Sequence, residues 1–541
     1  ENLQSLFQVA SHQIEKTLCV MKLFATCTLL LATAHASTKT NNLRRKLSYP
    51  SIVGYGPETD VTDHANLDND QAEIERYLAH GSDDSFQIAL DIYQNGAYSK
   101  SYAQVMLEEP LDKAIPEDLS MEGVADSSTL DTSAPVPGFA KDEVPAPVSS
   151  FGFQYKELGS CNVGGLAPED QKLDGCLKSN GTIDIDTIGI VAYSSVENKN
   201  GRTIQGFSTS SQAKMAGQVE YEKFVQYYQR HDYADHWVLS AFQQQSTQFP
   251  GGRGQADFSK YGKLGQSEVI KKGTAFMNVW MYVIREMEDA LDDCVEGDLS
   301  RNEERVHAWD EAVAFYAGSR EGASGNADNG VFPYRLAEKR CADYGTCGPE
   351  GELTTGTAKV NLDMIQFFKL GRSQITQGLC TDAANTKDEI VKLMYVPLVQ
   401  GTLRYAWKQN KEVEGENEKS EAEGAVFAAA ILPVVYACDK DDAAVIYDNM
   451  RVGFDQTDFL PVKKAFERQY KCMGITCQQV AGLVDSGGGY LEDASPCAGG
   501  SSKNKLALGL GLGLGIPLAL VLACICYMSV SRHSPGIESG P

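Results

Sequence analysis

Apolar residues recur at the three-and-four spacing of an amphipathic helix over most of this chain, and that pattern sets the architecture before any single residue is considered. Between residues 64 and 110, Ile74, Leu78, Ile88, Leu90, Ile92, Val105 and Leu107 predict two or three helices. From Ala213 to Tyr470 helical periodicity prevails, broken by Gly-rich loops at 250–265 and 318–330 and by an acidic stretch at 411–424. The run from Ile183 to Tyr193 reads instead as a short strand or hairpin. Residues 116–150 hold Pro116, Pro135, Pro137, Pro145 and Pro147 among Ser, Asp and Ala, the composition of a linker or long surface loop. A mostly α domain over residues 64–485 is expected.

Two other apolar runs are of a different kind. Residues 21–36 carry a Lys-bearing start, an apolar stretch too short to span a bilayer and an Ala34-His35-Ala36 cleavage signature, so they read as a signal peptide. Residues 1–20 then lie upstream of the true start, and 37–63 form a polar lead. Leu506 to Met528 is a 23-residue span without a charge, long enough for one transmembrane helix. A spacer at 486–505 precedes it and a cytosolic tail at 529–541 follows, which predicts a single-pass plasma-membrane protein with its bulk outside the cell. Gly509, Gly511, Gly513 and Gly515 overlap two G-x-x-x-G patterns and offer a seam for a homodimer.

Cysteine usage agrees with an oxidising compartment. Of 14 cysteines, ten lie between the cleavage point and the membrane span: Cys161, Cys176, Cys294, Cys341, Cys347, Cys380, Cys438, Cys472, Cys477 and Cys497. An even set predicts up to five disulfides, and the short spacings at Cys341/Cys347 and Cys472/Cys477 suggest local staples. Asn180-Gly-Thr is a glycosylation sequon.

An internal echo suggests duplication. Lys263-Leu-Gly-Gln-Ser returns at Lys369, Met281-Tyr-Val returns at Met394, and the segment around Glu311 returns around Glu423, with offsets of 106, 113 and 112 residues. Near-constant spacing predicts a duplicated helix pair, with halves at about 258–345 and 364–472, forming two pseudo-equivalent lobes.

The candidate chemistry sits in the first half. Tyr282, Glu286, Asp289 and Asp293 fall on one stripe of a helix, beside the apolar stripe of Val279, Val283 and Met287. The next helix carries His307 and Glu311 four residues apart, with Asp310 beside them. If the two helices pack antiparallel, their polar edges converge, and converging carboxylates repel unless protons or a cation intervene. The net charge of −25, from 48 basic and 73 acidic residues, argues against nucleic acid as a partner and favours cations.

The segments MNVWMYVIREMEDALDDC, HAWDEAVAFYAGS, LAEKRCADYGTC, VPLVQGTLRYA, EAEGAVFAAAILPVVYAC and YKCMGITC resemble the algal low-iron-inducible periplasmic proteins of the iron-assimilation family. With a signal peptide and an anchor, the chain is similar to the iron-starvation-induced phytotransferrins. The resemblance implies a cell-surface receptor that binds ferric iron together with carbonate and is taken up by endocytosis. Ferric ion favours carboxylate and phenolate oxygens with an occasional imidazole. On that expectation the ligand candidates are His307, Asp310, Glu311, Tyr282, Glu286 and Asp289, with Tyr233 and Asp235 from the Tyr227–His236 segment and Glu423 from the second half. Arg285 or Arg404 would hold the carbonate.

Two other classes remain open. A surface metalloenzyme, a ferroxidase or a metallopeptidase, would use the same His/Glu helix, although H-E-x-x-H is absent and Glu-x-x-His does not occur on two paired helices as a di-iron centre would require. A non-catalytic adhesion ectodomain explains the disulfides and the anchor but leaves the acid stripe without a role.

Overall fold

The computed structural model describes residues 49–97, 102–111, 120–121, 148–154, 180–185, 189–197, 202–296, 302–411 and 417–497. The signal peptide, the transmembrane span with its glycines, the tail, and Cys161 and Cys176 all lie outside the described residues. The rest is mostly helical. In chain order the principal helices are α1 (Thr62–Ala65), α2 (Leu67–His80), α3 (Asp83–Asn95), α4 (Ile204–Thr209), α5 (Val219–Tyr228), α6 (Tyr233–Phe242), α7 (Lys263–Gly273), α8 (Trp280–Glu296), α9 (Asn302–Ala317), α10 (Pro333–Tyr344), α11 (Lys359–Thr376), α12 (Cys380–Lys411), α13 (Asn417–Cys438), α14 (Lys440–Met450) and α15 (Phe459–Met473).

Between α3 and α4 stands an antiparallel sheet of five strands in the order β2-β4-β5-β1-β3, with β1 (Tyr102–Leu111), β2 (Ser120–Met121), β3 (Val148–Gln154), β4 (Asn180–Ile185) and β5 (Gly189–Glu197). The expected hairpin is β4–β5, pairing Ile183 with Val191. Two expectations are corrected here. Val105 and Leu107 belong to a strand rather than a helix, Val105 pairing with Phe151 on one side and Ser195 on the other. The predicted loop at 116–150 contains β2 and the start of β3. Both partners of β1 are far off in sequence, so local periodicity could not reveal the pairing.

The helical body is organised around two antiparallel pairs, α8 with α9 and α12 with α13. Helices α7 and α8 run together through a π-helical segment at Thr274–Val279. Met281 and Met394 fall on the first members of the two pairs, Glu311 and Glu423 on the second members. Lys263 opens α7, but Lys369 lies in α11, separated from α12 by a break at Gly378 (φ +72°), so the third landmark does not fall at a matching place. One continuous apolar core, including Trp280, Trp309, Val399 and Val426, joins both pairs. Helix α13 is apolar and long enough to cross a membrane over Glu418–Cys438, yet 78% of it is buried inside the fold, as expected of a central core helix.

Helix α9, which carries the candidate site, is fixed on its other face by close packing. Trp309 Nε1 donates to the Phe368 carbonyl at 2.8 Å, and its ring fills the space above Gly371, where a Cβ would approach it to 2.1 Å. Its C-terminus ends at Gly318 in the left-handed region (φ +78°). Asp68 of α2 accepts there from Ser319 Oγ at 2.8 Å and from Arg320 N at 2.7 Å.

Among the described residues, four disulfides join Cys294 to Cys380, Cys341 to Cys347, Cys438 to Cys472 and Cys477 to Cys497. The staple at Cys341/Cys347 is as expected; Cys472 and Cys477 are not partners, because Cys472 faces the end of α13 and Cys477 faces Cys497. Cys294–Cys380 ties α8 to α12 across a separation of 86 residues, against 6 for Cys341–Cys347. On chain entropy the long closure is worth about 4–5 kcal/mol and the short one about 2 kcal/mol. Replacing both Cys294 and Cys380 by Ala should therefore lower the Tm more than replacing both Cys341 and Cys347; calorimetry that ranked the pairs the other way would show that loop closure is not what these bonds contribute.

Candidate metal centre

Residues 55–66 form a strap that crosses α9, and its attachment begins with a buried carboxylate. Asp310 accepts from Tyr55 Oη at 2.6 Å, Glu58 N at 2.8 Å, and Thr59 N and Oγ1 at 2.9 Å each. Burial pushes its pKa up and these donors pull it back. The expectation of Asp310 as a ligand is thereby corrected: its oxygens are committed to holding the strap, and it stands outside the group that could take a metal. What the strap delivers is His64, on α1, 2% exposed at its side chain.

Three ligand-type atoms meet at this point. Glu311 Oε1 lies 2.9 Å from His307 Nε2 and 3.2 Å from His64 Nε2, and the three residues offer atoms all within 4.8 Å of one another. Two atoms bound 2.0–2.1 Å from one ion sit ~3 Å apart when adjacent in its coordination shell, so these separations fit metal ligation. Each histidine is oriented by its other nitrogen. His64 Nδ1 is 2.8 Å from Asp63 Oδ1, and His307 Nδ1 is 3.1 Å from Thr59 Oγ1. A carboxylate beside the far nitrogen of a ligating histidine is the usual arrangement at metal sites.

The acid stripe of α8 reaches the same place from the other side. Glu286 is buried, and the Arg202 guanidinium bridges it, at 3.5 Å, to Glu311, with which Arg202 is in close hydrogen-bonding contact. Arg285 Nη1 donates to Glu286 at 2.5 Å, and its Nη2 lies 2.9 Å from Asp289, a half-exposed residue at the rim. Tyr282 stacks on Phe207 at 3.8 Å, and Lys214 Nζ reaches its hydroxyl at 3.3 Å. Three cations, Arg202, Arg285 and Lys214, thus surround one phenol within 6 Å of its ring. His307 and Arg202 are 32% and 23% exposed at their side chains, so solvent reaches the centre from their side.

The electrostatics divide the two glutamates. Burial alone would raise Glu311, but His64, the hydrogen bond from His307, and Arg202 outweigh it and hold the carboxyl well below its ordinary range. Glu286 goes the other way: burial and the neighbouring Glu311 charge push it to about 7 against the pull of Arg202 and Arg285. Burial opposes charge on His64, yet Asp63 and Glu311 leave its pKa raised on balance. Burial and the Glu286 charge push the Tyr282 phenol up.

The remaining expected residues lie elsewhere, and the centre they were assigned to is corrected accordingly. Asp235 accepts from Tyr93 Oη at 2.9 Å and Gln205 Nε2 at 3.1 Å, a hub between α3, α4 and α6. Tyr233 is buried and stacks on Tyr228 at 5.2 Å. Glu423 lies 3.6 Å from Lys272, so this carboxylate of the second pair is neutralised by an ammonium instead of framed by histidines. Arg404 pairs with Asp343 at 3.2 Å and has no part in the centre. Asn180 is exposed at the start of β4, as a sequon requires. His64 and Arg202 were missed. They enter from 247 and 109 residues before Glu311 (311 − 64 and 311 − 202), and no periodic signal connects them to it. No family model, curated protein or solved structure matches this chain.

Two outcomes follow from this geometry. Asp310→Ala leaves buried donors at Tyr55, Glu58 and Thr59 without their acceptor, at about 1–3 kcal/mol each; the Tm should fall by several degrees, and proteolysis should open the chain near residue 60 first. A Glu286→Gln variant tests the raised carboxyl. A folded-state pKa above the ordinary 4.5 means that the ionised form is penalised, with the penalty absent below 4.5 and complete above about 7. The variant should therefore gain stability relative to the wild type as metal-free solutions pass from pH 4.5 to pH 7, and a difference in Tm that stays flat across that window would contradict the assignment.

Proposed function

We propose that this protein is a ferric-iron receptor of the phytotransferrin kind, anchored at the cell surface by residues 506–528, that captures Fe(III) with a synergistic carbonate and carries it inward by endocytosis. The observation that carries the reading is the meeting of His64, His307 and Glu311, with Glu286 and Tyr282 beside them, at the segments that resemble the iron-assimilation family. Glu311, the two imidazoles and, once deprotonated, Glu286 and Tyr282 supply the hard oxygen and borderline nitrogen donors that ferric ion takes. The duplicated helix pair fits an origin as two lobes of which only the first kept the site.

Arg202 bridging Glu286 and Glu311 gives the reading its mechanism. A cation entering between those carboxylates competes with the guanidinium, which then swings toward the solvent side with its charge unmatched. A carbonate bound to the metal offers planar acceptors to that guanidinium and to Arg285, so metal and anion bind better together than either alone. Lys214, beside the Tyr282 hydroxyl, favours the phenolate that iron needs. Asp289 and Asp310 belong to the support of the site in this reading and are not ligands.

A second reading has one specific observation in its favour. Two histidines and one carboxylate are the set used by non-haem Fe(II) oxygenases, which would make the chain a surface oxidase. Sustained dioxygen consumption by the Fe(II)-loaded protein with a reductant would favour it over binding alone.

Equilibrium titration of the full-length protein with ferric iron, supplied as a weak chelate, is the test. Bicarbonate should tighten binding, and His64→Ala and Glu311→Gln should each weaken it at least about a hundredfold, the range expected for loss of a ligand or its support. Because Glu286 must lose its proton near pH 7 and His64 above its ordinary 6.5, affinity should drop as the pH falls from 7.5 to 5. Wild-type iron binding that ignored bicarbonate and survived Glu311→Gln would remove this site from consideration.

A further inference from the structure

A second cluster of cations lies between α10 and α12, away from the metal centre. Arg340 is 6% exposed, and its Nε and Nη1 have no hydrogen-bond partner among the described residues. Its Nη2 lies 3.2 Å from Asp343 Oδ2. Arg404 Nε, also without a hydrogen bond, lies 3.2 Å from the same oxygen. Both guanidinium groups face the Tyr405 ring, at 5.8 and 5.7 Å from its centre. Asp343 is thus the direct ion-pair partner of both guanidinium ions, while Glu423, whose charge Arg340 also feels, is matched first by Lys272 at 3.6 Å.

Such an arrangement is incomplete by its own chemistry. A guanidinium presents five N–H donors in a planar fork, and leaving several of them buried without acceptors is costly, as is holding two like charges on one oxygen. An added oxyanion resolves both at once, because its several acceptor oxygens meet the free edges of both forks and its charge balances the second arginine. The Arg404 and Asp343 side chains are 25% and 21% exposed, so the cluster opens to solvent on their side, and Arg340 forms its buried floor. A metal is excluded here by the sign of the charge.

We propose that Arg340 and Arg404 form an anion site, separate from the metal centre, that takes a small oxyanion of the phosphate class. It does not rest on the iron-binding reading and stands or falls without it. The site uses α10 and α12, whose relative position is set by Tyr344 Oη donating to the Gln400 carbonyl at 2.7 Å, so the bound anion would also tie these two helices together.

Isothermal titration of the full-length protein with inorganic phosphate, in chloride buffer freed of iron and bicarbonate and held at constant ionic strength, reads this directly. Saturable binding of one phosphate per chain is expected. Arg340→Gln and Arg404→Gln should each weaken it at least about tenfold, the loss of one charge-assisted contact, whereas Arg285→Gln at the metal centre should leave it within twofold. Should Arg340→Gln fail to fold, Arg404→Gln decides alone, since that side chain is a quarter exposed. Absence of saturable binding, retention of full affinity in the Arg404 variant, or loss of it in the Arg285 variant would each overturn the proposal.

Discussion

A single buried carboxylate fixes the geometry on which the rest of the site depends. Asp310 lies on α9 beside Glu311 but points to the other flank, where it gathers a phenol, a hydroxyl and two backbone amides from residues 55–59. Four donors on two oxygens are worth far more in a dry interior than in water, because the alternative is several unsatisfied groups at once. The strap so held continues directly into α1, and α1 carries His64. Asp68 then fastens the start of α2 to the end of α9, so the histidine is held from both sides. This clamp, together with the backbone hydrogen bonds of Val53 and Gly54 to Gly322 and Ala323, holds the second imidazole in place.

The opposite flank of α9 is fixed by shape. Trp309 occupies the space that Gly371 leaves open on α11, and the disulfide from Cys294 to Cys380 binds the end of α8 to the start of α12. Helices α8 and α9 are consequently held face to face at a distance where Glu286 and Glu311 feel one another. Burial and that repulsion push Glu286 to about 7, while His64, His307 and Arg202 keep Glu311 ionised. That division makes the centre responsive to pH, and it comes from burial and spacing with no residue type out of the ordinary.

The two helix pairs carry different chemistry. Glu311 and Glu423 each lie on the second helix of a packed pair, and each is a buried carboxylate that needs a positive neighbour. In the first pair the neighbours are two imidazoles and an arginine, which can share the carboxylate with a metal. In the second it is chiefly Lys272, a compact fixed charge near the end of α7, which satisfies the carboxylate within the fold. The surplus of cations in that half is found instead at Arg340 and Arg404.

Much of this was legible in the chain itself. Helical periodicity over 213–470 fixes the elements, because a helix buries a stripe at its own repeat, and the spacing of Tyr282, Glu286, His307 and Glu311 places them on two facing edges. The even cysteine set and the short Cys341/Cys347 loop likewise depend on local spacing alone. Tertiary structure alone decided what crosses long separations. It pairs β1 with strands that periodicity misread, joins Cys438 to Cys472, turns Asp310 from ligand candidate to clamp, and brings His64 and Arg202 to Glu311. The physical reason is the same in each case: a strand partner, a disulfide mate or a buried charge is chosen by packing in three dimensions, and a residue's own sequence neighbours carry no trace of that choice.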